Sequence, residues 1–156
     1  MSDYQYYGYV SSERLLQYVT GIFAKAGMAQ QEAAMVADNL VFADLSGMQS
    51  HGVIRVPAYV KRLQDRGTSK DAQITIEKET DTTALINGNN AMGQVVSTKA
   101  MQLCIEKAKN SGVAFVGVKG SNHFGMASYY SEMAIPEGMI GMVFTSPAAH
   151  LMAPTG

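Results

Sequence analysis

The chain has 156 residues, of which 47% are hydrophobic and 16% charged, and its formal net charge at pH 7 is −1. This composition is typical of a one-domain globular protein with a sizeable core, and the lack of a basic run argues against nucleic-acid or acidic-membrane partners. The single cysteine, Cys104, excludes an internal disulfide framework and a thiolate metal cluster. With neither a signal-peptide pattern nor an apolar run of transmembrane length, we expect a soluble, cytoplasmic protein.

The first part of the chain has the apolar spacing of helices. Residues 11–27, 29–47 and 52–67 each place their apolar side chains on one face at a helical period. Pro57 stands in what would be the first turn of the third helix, where proline is tolerated. We therefore predict an N-terminal helical segment over residues 1–70.

The second part, residues 71–156, combines strand and helix patterns. The expected elements, in chain order, are strands at 72–79 and 82–88, a helix at 94–112, a strand at 113–118, a helix at 126–138 and a strand at 139–146. Because the last four elements alternate between helix and strand, part of the sheet should be parallel. The predicted fold class is α/β of mixed α+β character, with a helical segment followed by a mixed sheet with helices.

A compact polar group stands where the third helix is predicted to begin. Ser50, His51 and Arg55 lie within the first six residues of the stretch "SHGVIRVPAYVKRL". A guanidinium can hold a carboxylate through two hydrogen bonds, and an imidazole can exchange a proton with a hydroxyl near neutral pH. This combination suits a small 2-hydroxy or 2-oxo acid. In the alternative interpretation, Ser50 only caps the helix, and His51 and Arg55 are surface residues.

A second candidate is His123, in the stretch "GSNHFGMAS" after a predicted buried strand. Ligands bind at such strand ends in α/β sheets. Gly120 and Gly125 have the spacing of phosphate-loop glycines, but Met126 and Ala127 stand where Lys and Ser/Thr are required. The chain also has no G-x-G-x-x-G turn, so a standard Rossmann cofactor site is not predicted. His123 is a candidate acid/base, with an ordinary turn histidine as the alternative.

The histidines give little support to a metal site. His51, His123 and His150 do not include an i, i+4 pair, and the chain has no Cys-x-x-Cys. We therefore predict no metal. A site with two histidines and a carboxylate stays open, and with it a metal-dependent hydrolase.

Taken together, the segments "SHGVIRVPAYVKRL" and "VKGSNHFGMASYYSEMA" resemble the malate/L-lactate dehydrogenase family. This family includes sulfolactate and ureidoglycolate dehydrogenases and diketogulonate reductase. The resemblance also covers "ADNLVFADLSGMQSHG", "GNNAMGQV" and "GMIGMVFTSPAAHLMAPTG". Because members of the family are longer, the chain resembles their N-terminal half. Residues 71–156 would then be the first part of the cofactor- and substrate-binding domain.

The resemblance implies an oxidoreductase that uses NAD or NADP, has a non-Rossmann cofactor fold and works as a homodimer. It would oxidise a small 2-hydroxy acid or reduce the 2-oxo or cyclic imino counterpart. The implied site residues fall into three groups: catalytic His123, His51 and Ser50; substrate-binding Arg55, Asn122 and Ser121; and cofactor-binding Ser146, Gly120 and Gly125. A non-catalytic chain that acts only as a dimerisation or ligand-binding module is the alternative.

Overall fold

The computed structural model describes residues 9–145, which form five α-helices and a three-stranded sheet. The elements in chain order are α1 (Ser12–Lys25), α2 (Gln30–Leu45), two 3₁₀ turns (Gln49–His51 and Val53–Arg55), α3 (Val56–Gln64), β1 (Thr75–Glu79), β2 (Thr83–Asn87), α4 (Gly93–Ser111), β3 (Phe115–Lys119), α5 (Ala127–Glu132) and a third 3₁₀ turn (Ile135–Glu137). The predicted class of mixed helices and sheet is confirmed.

The first two helices confirm the predictions for residues 11–27 and 29–47. The Ser11 hydroxyl accepts the backbone N–H of Arg14 at 3.3 Å and so caps α1. Gly27 follows this helix with a φ of +98°, a left-handed conformation that favours glycine. α1 and α2 pack closely against each other and form the base on which the site is built.

The third helix begins later than predicted. The apolar spacing indicates a helix over 52–67, but α3 starts at Val56, and two 3₁₀ turns precede it. The reason is a contact with the end of α2. The Asp44 carboxylate accepts the backbone N–H of Val53 at 2.9 Å, and a Cβ at Gly52 would overlap the same carboxylate. The backbone is therefore held against Asp44 and turns there before it becomes α-helical.

The sheet has the strand order β1-β2-β3. β1 pairs with β2 antiparallel, whereas β2 pairs with β3 parallel, with Thr83 opposite Phe115 and Asn87 opposite Lys119. The parallel pair requires a crossover, which α4 supplies. The prediction that part of the sheet is parallel is confirmed, and the parallel pairing places the loop after β3 beside the turn after β2.

The core consists of two apolar clusters that meet at the start of α4. The first cluster joins α1, α2 and α3 to Met92 and Val95. The second lies between α4 and the sheet and includes Val96 and Ala100. Ile74 packs against both clusters. Consequently the first turn of α4 is buried on all sides, directly under the loop that follows β3.

The strand predicted at 139–146 is wrong for the residues that the structure describes, since 139–145 form no strand. Apolar alternation is present, and it leaves Ile140, Met142 and Phe144 exposed. A strand needs the backbone of a neighbouring strand for its hydrogen bonds, and alternation cannot supply one. The helix predicted at 126–138 is also shorter, because α5 ends at Glu132 before a 3₁₀ turn. Within 9–145, no helix is both long and apolar enough to cross a membrane.

Candidate active site

The two sequence motifs meet in the folded chain. The His51 and His123 rings lie 5.5 Å apart between centroids, with a tilt of 30°. His51 comes from the first 3₁₀ turn, and His123 from the loop after β3. The Ser50 hydroxyl lies 3.0 Å from Nδ1 of His51. Three of the predicted catalytic residues therefore form one cluster between the start of α3 and the end of the parallel strands.

Arg55 adds a fixed cation to this cluster. Its Nε donates to the backbone carbonyl of Ser50 at 2.6 Å, which holds the guanidinium against the first 3₁₀ turn. Within the described part of the chain, the terminal guanidinium nitrogens of Arg55 have no hydrogen-bond partner. A guanidinium held in this way is available for a carboxylate of a ligand.

His123 is supported from below by α3. Tyr59 is buried on that helix, and its hydroxyl lies 2.6 Å from Nδ1 of His123. The fully buried amide of Gln94 donates to the same hydroxyl at 3.1 Å. Nε2 of His123 has no partner among residues 9–145, and the residue lies at the surface with its imidazole partly buried. The imidazole therefore presents one nitrogen outward while the other is held by the protein.

The predicted substrate-binding residue Asn122 is used to hold the loop. Its Oδ1 accepts from Arg62 at 2.9 Å. Its Nδ2 donates to the backbone carbonyls of Asn90 and Ala91 at 3.1 and 2.9 Å and to the Asn90 side-chain oxygen at 2.9 Å. These contacts tie the loop to the turn after β2. Ser121 is exposed beside Asn122, and a role for either residue in substrate binding remains a prediction.

The two loop glycines are required by the local structure. Gly120 and Gly125 have φ values of +59° and +78°, where a side chain is strained. A Cβ at Gly120 would approach the Asn87 side chain at 2.6 Å, and one at Gly125 would overlap that of Asn39. Packing is thus sufficient to explain both glycines, and their part in cofactor binding remains a prediction. Ser146, the third predicted cofactor residue, lies outside the described residues.

The electrostatic surroundings favour a neutral His123. Partial burial, followed by the charges of Arg55, His51 and Arg62, lowers the pKa of His123 from its ordinary value of 6.5. At neutral pH the imidazole therefore carries a lone pair and can accept a proton. Burial raises the pKa of Tyr59, so that its hydroxyl stays protonated. Among residues 9–145, no group of three or more His, Cys, Asp or Glu side chains is placed to hold a metal ion.

Sequence reasoning missed three residues of this site: Tyr59, Arg62 and Gln94. The first two follow Arg55 at spacings of four and seven residues, which places all three on one helical face. This spacing within "SHGVIRVPAYVKRL" is enough to predict that Tyr59 and Arg62 lie on the same side of the helix as Arg55. Gln94 offered no comparable signal, because a polar residue at the start of an amphipathic helix is ordinary and its burial depends on tertiary packing.

Comparison with known proteins assigns the family. The family profile described as malate/L-lactate dehydrogenase matches residues 10–156. The chain belongs to this family. The resemblance drawn from the Ser-His-Gly-x-x-Arg and Ser-Asn-His-Phe-Gly elements is thereby confirmed. The cluster of His51, His123 and Arg55 is where this family member brings those two elements together.

Relatives of the family cover most of this chain. It is 46% identical over 149 residues to the L-sulfolactate dehydrogenase of Methanothermobacter thermautotrophicus, which covers 94% of this chain and 43% of that protein. It is 35% identical over 133 residues to the ureidoglycolate dehydrogenase (NAD(+)) of Escherichia coli O157:H7, which covers 85% of this chain and 38% of that protein. The structure of malate dehydrogenase from Pyrococcus horikoshii OT3 superposes with a TM-score of 0.81 at 40% identity, covering 85% of this chain and 40% of that one. The chain thus spans about two fifths of the length of the relatives it matches.

Proposed function

We propose that this protein oxidises the CH–OH group of a small 2-hydroxy acid, or reduces the 2-oxo counterpart, with NAD or NADP. The observation that carries the proposal is the unpartnered Nε2 of His123 in one cluster with His51, whose ring lies 5.5 Å away, and with Arg55, which is held on the carbonyl of Ser50. An imidazole that can take a proton and a cation that can hold a carboxylate are the two groups that a 2-hydroxy acid requires. Family membership and relatives named for sulfolactate, malate and ureidoglycolate support the same class of substrate.

In the oxidation direction, Arg55 holds the substrate carboxylate and orients the 2-hydroxyl toward His123. Nε2 of His123 takes the hydroxyl proton as the C–O single bond becomes a carbonyl. The nicotinamide cofactor supplies the acceptor for the hydride that leaves the same carbon. The lowered pKa of His123 suits this direction, because the imidazole is neutral before the proton arrives.

Ser50 and His51 have a supporting part in the proposal. The His51 ring lies beside that of His123, and its Nδ1 is held by the Ser50 hydroxyl. A second imidazole at this distance can pass the proton from the substrate pocket to solvent. The positive charges of Arg55 and Arg62 also disfavour a lasting positive charge on His123, so that His123 returns to its neutral form after each turnover.

The residues of this chain fit the substrate end of a nicotinamide reaction. A hydride acceptor is required because no protein side chain takes a hydride. The proton acceptor lies in the loop after β3, and the carboxylate anchor lies in the 3₁₀ turn before α3. Gly120, Gly125 and Ser146 are the proposed cofactor contacts. The name of the Escherichia coli relative specifies NAD(+), whereas the choice between NAD and NADP here remains part of the proposal. A homodimer in the cytoplasm also belongs to the proposal.

The decisive experiment measures reduction of NAD⁺ and NADP⁺ by the protein with malate, lactate, sulfolactate and ureidoglycolate. We expect turnover with at least one pair, and its loss in His123→Gln. A parallel titration follows the fluorescence of NADH and NADPH on binding. A folded protein that binds neither nucleotide and reduces neither would contradict the proposal and favour the non-catalytic binding module.

A further inference from the structure

A chain of hydrogen bonds runs from the core to His123. Gln94 lies fully buried in the first turn of α4, and its Nε2 donates to the hydroxyl oxygen of Tyr59. That hydroxyl in turn meets Nδ1 of His123 at 2.6 Å. The other end of the amide, Oε1 of Gln94, is buried and has no hydrogen-bond partner in the described part of the chain. An unpaired buried amide oxygen at the end of such a chain needs an explanation.

The number of protons in this series of hydrogen bonds decides whether Nε2 of His123 can accept a proton. A hydroxyl has a single proton to donate. If Gln94 donates to Tyr59, the only acceptor left for the Tyr59 proton among the described residues is Nδ1 of His123, and the neutral imidazole then carries its own proton on Nε2. In that arrangement the outward nitrogen has no lone pair and cannot take a proton from a substrate.

Rotation of the Gln94 side-chain amide by 180° reverses the direction of both hydrogen bonds, the one from Gln94 to Tyr59 and the one from Tyr59 to His123. Oε1 then accepts the hydroxyl proton of Tyr59, and Tyr59 accepts Nδ1–H of His123. The outward Nε2 is left with its lone pair. In this arrangement the amide oxygen gains a partner, and the amide NH₂ takes the position that the unpaired oxygen otherwise occupies. The protonated imidazole, which has N–H groups on both nitrogens, requires the same direction.

We propose that Gln94, with Oε1 turned toward Tyr59, keeps a proton on Nδ1 of His123 and so leaves Nε2 open as the proton acceptor. The inference rests on the proposed function, in which Nε2 exchanges a proton with the substrate. Gln94 and Tyr59 are positioning residues, since they act through His123 and touch no reacting atom. Neither Gln94 nor Tyr59 carries a charge, which distinguishes this relay of hydrogen bonds (Gln94–Tyr59–His123) from a carboxylate behind a histidine.

The surroundings of His123 explain why a neutral relay suits this site. The charged and titratable groups that face it are His51 and Arg55 from the 3₁₀ turns and Tyr59 and Arg62 from α3. No carboxylate is among these neighbours in residues 9–145. An anion on Nδ1 would hold the imidazole in its protonated form, whereas a neutral acceptor selects the tautomer and leaves the imidazole neutral.

The tautomer can be measured directly on the protein labelled with ¹⁵N-histidine. Imidazole ¹⁵N chemical shifts at about pH 8 distinguish an N–H nitrogen from a bare one, well above the ordinary histidine pKa. The signals of His123 are assigned by their loss in His123→Gln. We expect Nδ1 to be the N–H nitrogen and Nε2 to be bare. The opposite assignment in the unaltered protein overturns the inference without any variant.

Two substitutions test whether Gln94 sets this tautomer. Gln94→Met keeps the length of the side chain but removes the acceptor, so that the Tyr59 proton returns to Nδ1 and the two ¹⁵N shifts of His123 exchange. Gln94→Glu restores an acceptor and should retain the original pattern. Thr98→Val is the matched control, because Thr98 is buried one turn later on α4 with its own unpaired oxygen. An unchanged tautomer in folded Gln94→Met refutes the role of Gln94.

Kinetics add a second readout once turnover has been established. Gln94→Met should lower kcat by about tenfold, with the KM of the acid changed by less than about twofold, because the wrong tautomer slows proton transfer and leaves Arg55 in place. A rise in KM at constant kcat would contradict the inference. If the unaltered protein reduces neither nucleotide, the proposed function fails. The ¹⁵N shifts then still decide whether the relay sets the tautomer.

Discussion

The hydroxyl of Tyr59 lies 2.6 Å from Nδ1 of His123, a residue 64 positions later in the chain. This single hydrogen bond joins α3 to the loop after β3 and thereby joins the two sequence motifs. It also determines which nitrogen of His123 faces outward. The functional consequences of the site follow from this orientation.

Replacement of His123 should separate chemistry from binding. His123→Gln removes the proton acceptor but keeps a polar side chain of similar reach. We expect kcat to fall by about 100-fold or more, the usual share of general acid–base catalysis. Nucleotide binding, followed by NADH or NADPH fluorescence, should be retained. Full turnover in this variant would exclude His123 as the acceptor.

Arg55 should determine the affinity for the acid. Arg55→Lys keeps the positive charge but loses the planar fork, so we expect the KM of the acid to rise by about tenfold or more. Steady-state kinetics at saturating nucleotide measures the change. Arg14→Lys, in the first turn of α1, is the control for a generic effect of the substitution. Equal KM values in both variants would show that Arg55 does not anchor the carboxylate.

Stability should depend on pH through His123. Its pKa is lowered in the folded state, chiefly by burial and then by Arg55, so between the folded value and 6.5 the unfolded chain binds more protons. The contribution of this histidine to the free energy of unfolding is therefore complete above pH 6.5 and is lost as the pH falls through the folded pKa. Urea unfolding at several pH values measures it, and His123→Gln should make the curve flatter. An unchanged curve would show that folding does not lower the pKa of His123.

Gly125 should be the least replaceable glycine of the loop. Gly125→Ala combines a strained φ of +78° with overlap on Asn39, and we expect a loss of about 3 kcal/mol in the free energy of unfolding. Gly138→Ala is the matched control, because its φ is +68° but nothing lies within 4 Å of the added Cβ. That change should cost about 1–2 kcal/mol. Equal losses would mean that the Asn39 contact does not restrict the loop.

Much of the fold could be predicted from periodicity. The apolar spacing of residues 11–27 and 29–47 predicts α1 and α2, and the helix–strand alternation predicts a parallel pair. Periodicity does not predict an element whose formation depends on a distant part of the chain. Residues 139–145 alternate as a strand would, yet no neighbouring strand pairs with them in the described chain. The predicted helix at 52–67 failed at its start for a similar reason, since Asp44 holds the backbone there.

The sequence by itself determined the residue types of the candidate site: an imidazole after a strand, and a hydroxyl, an imidazole and a guanidinium before a helix. Only the tertiary structure decided how they are used. It brought the rings of His51 and His123 to 5.5 Å, placed Tyr59 on Nδ1 and buried Gln94 behind it. Helical and strand periods encode which face of an element is buried. Hydrogen-bond partners depend on distances and angles between segments far apart in the chain, which no local period encodes.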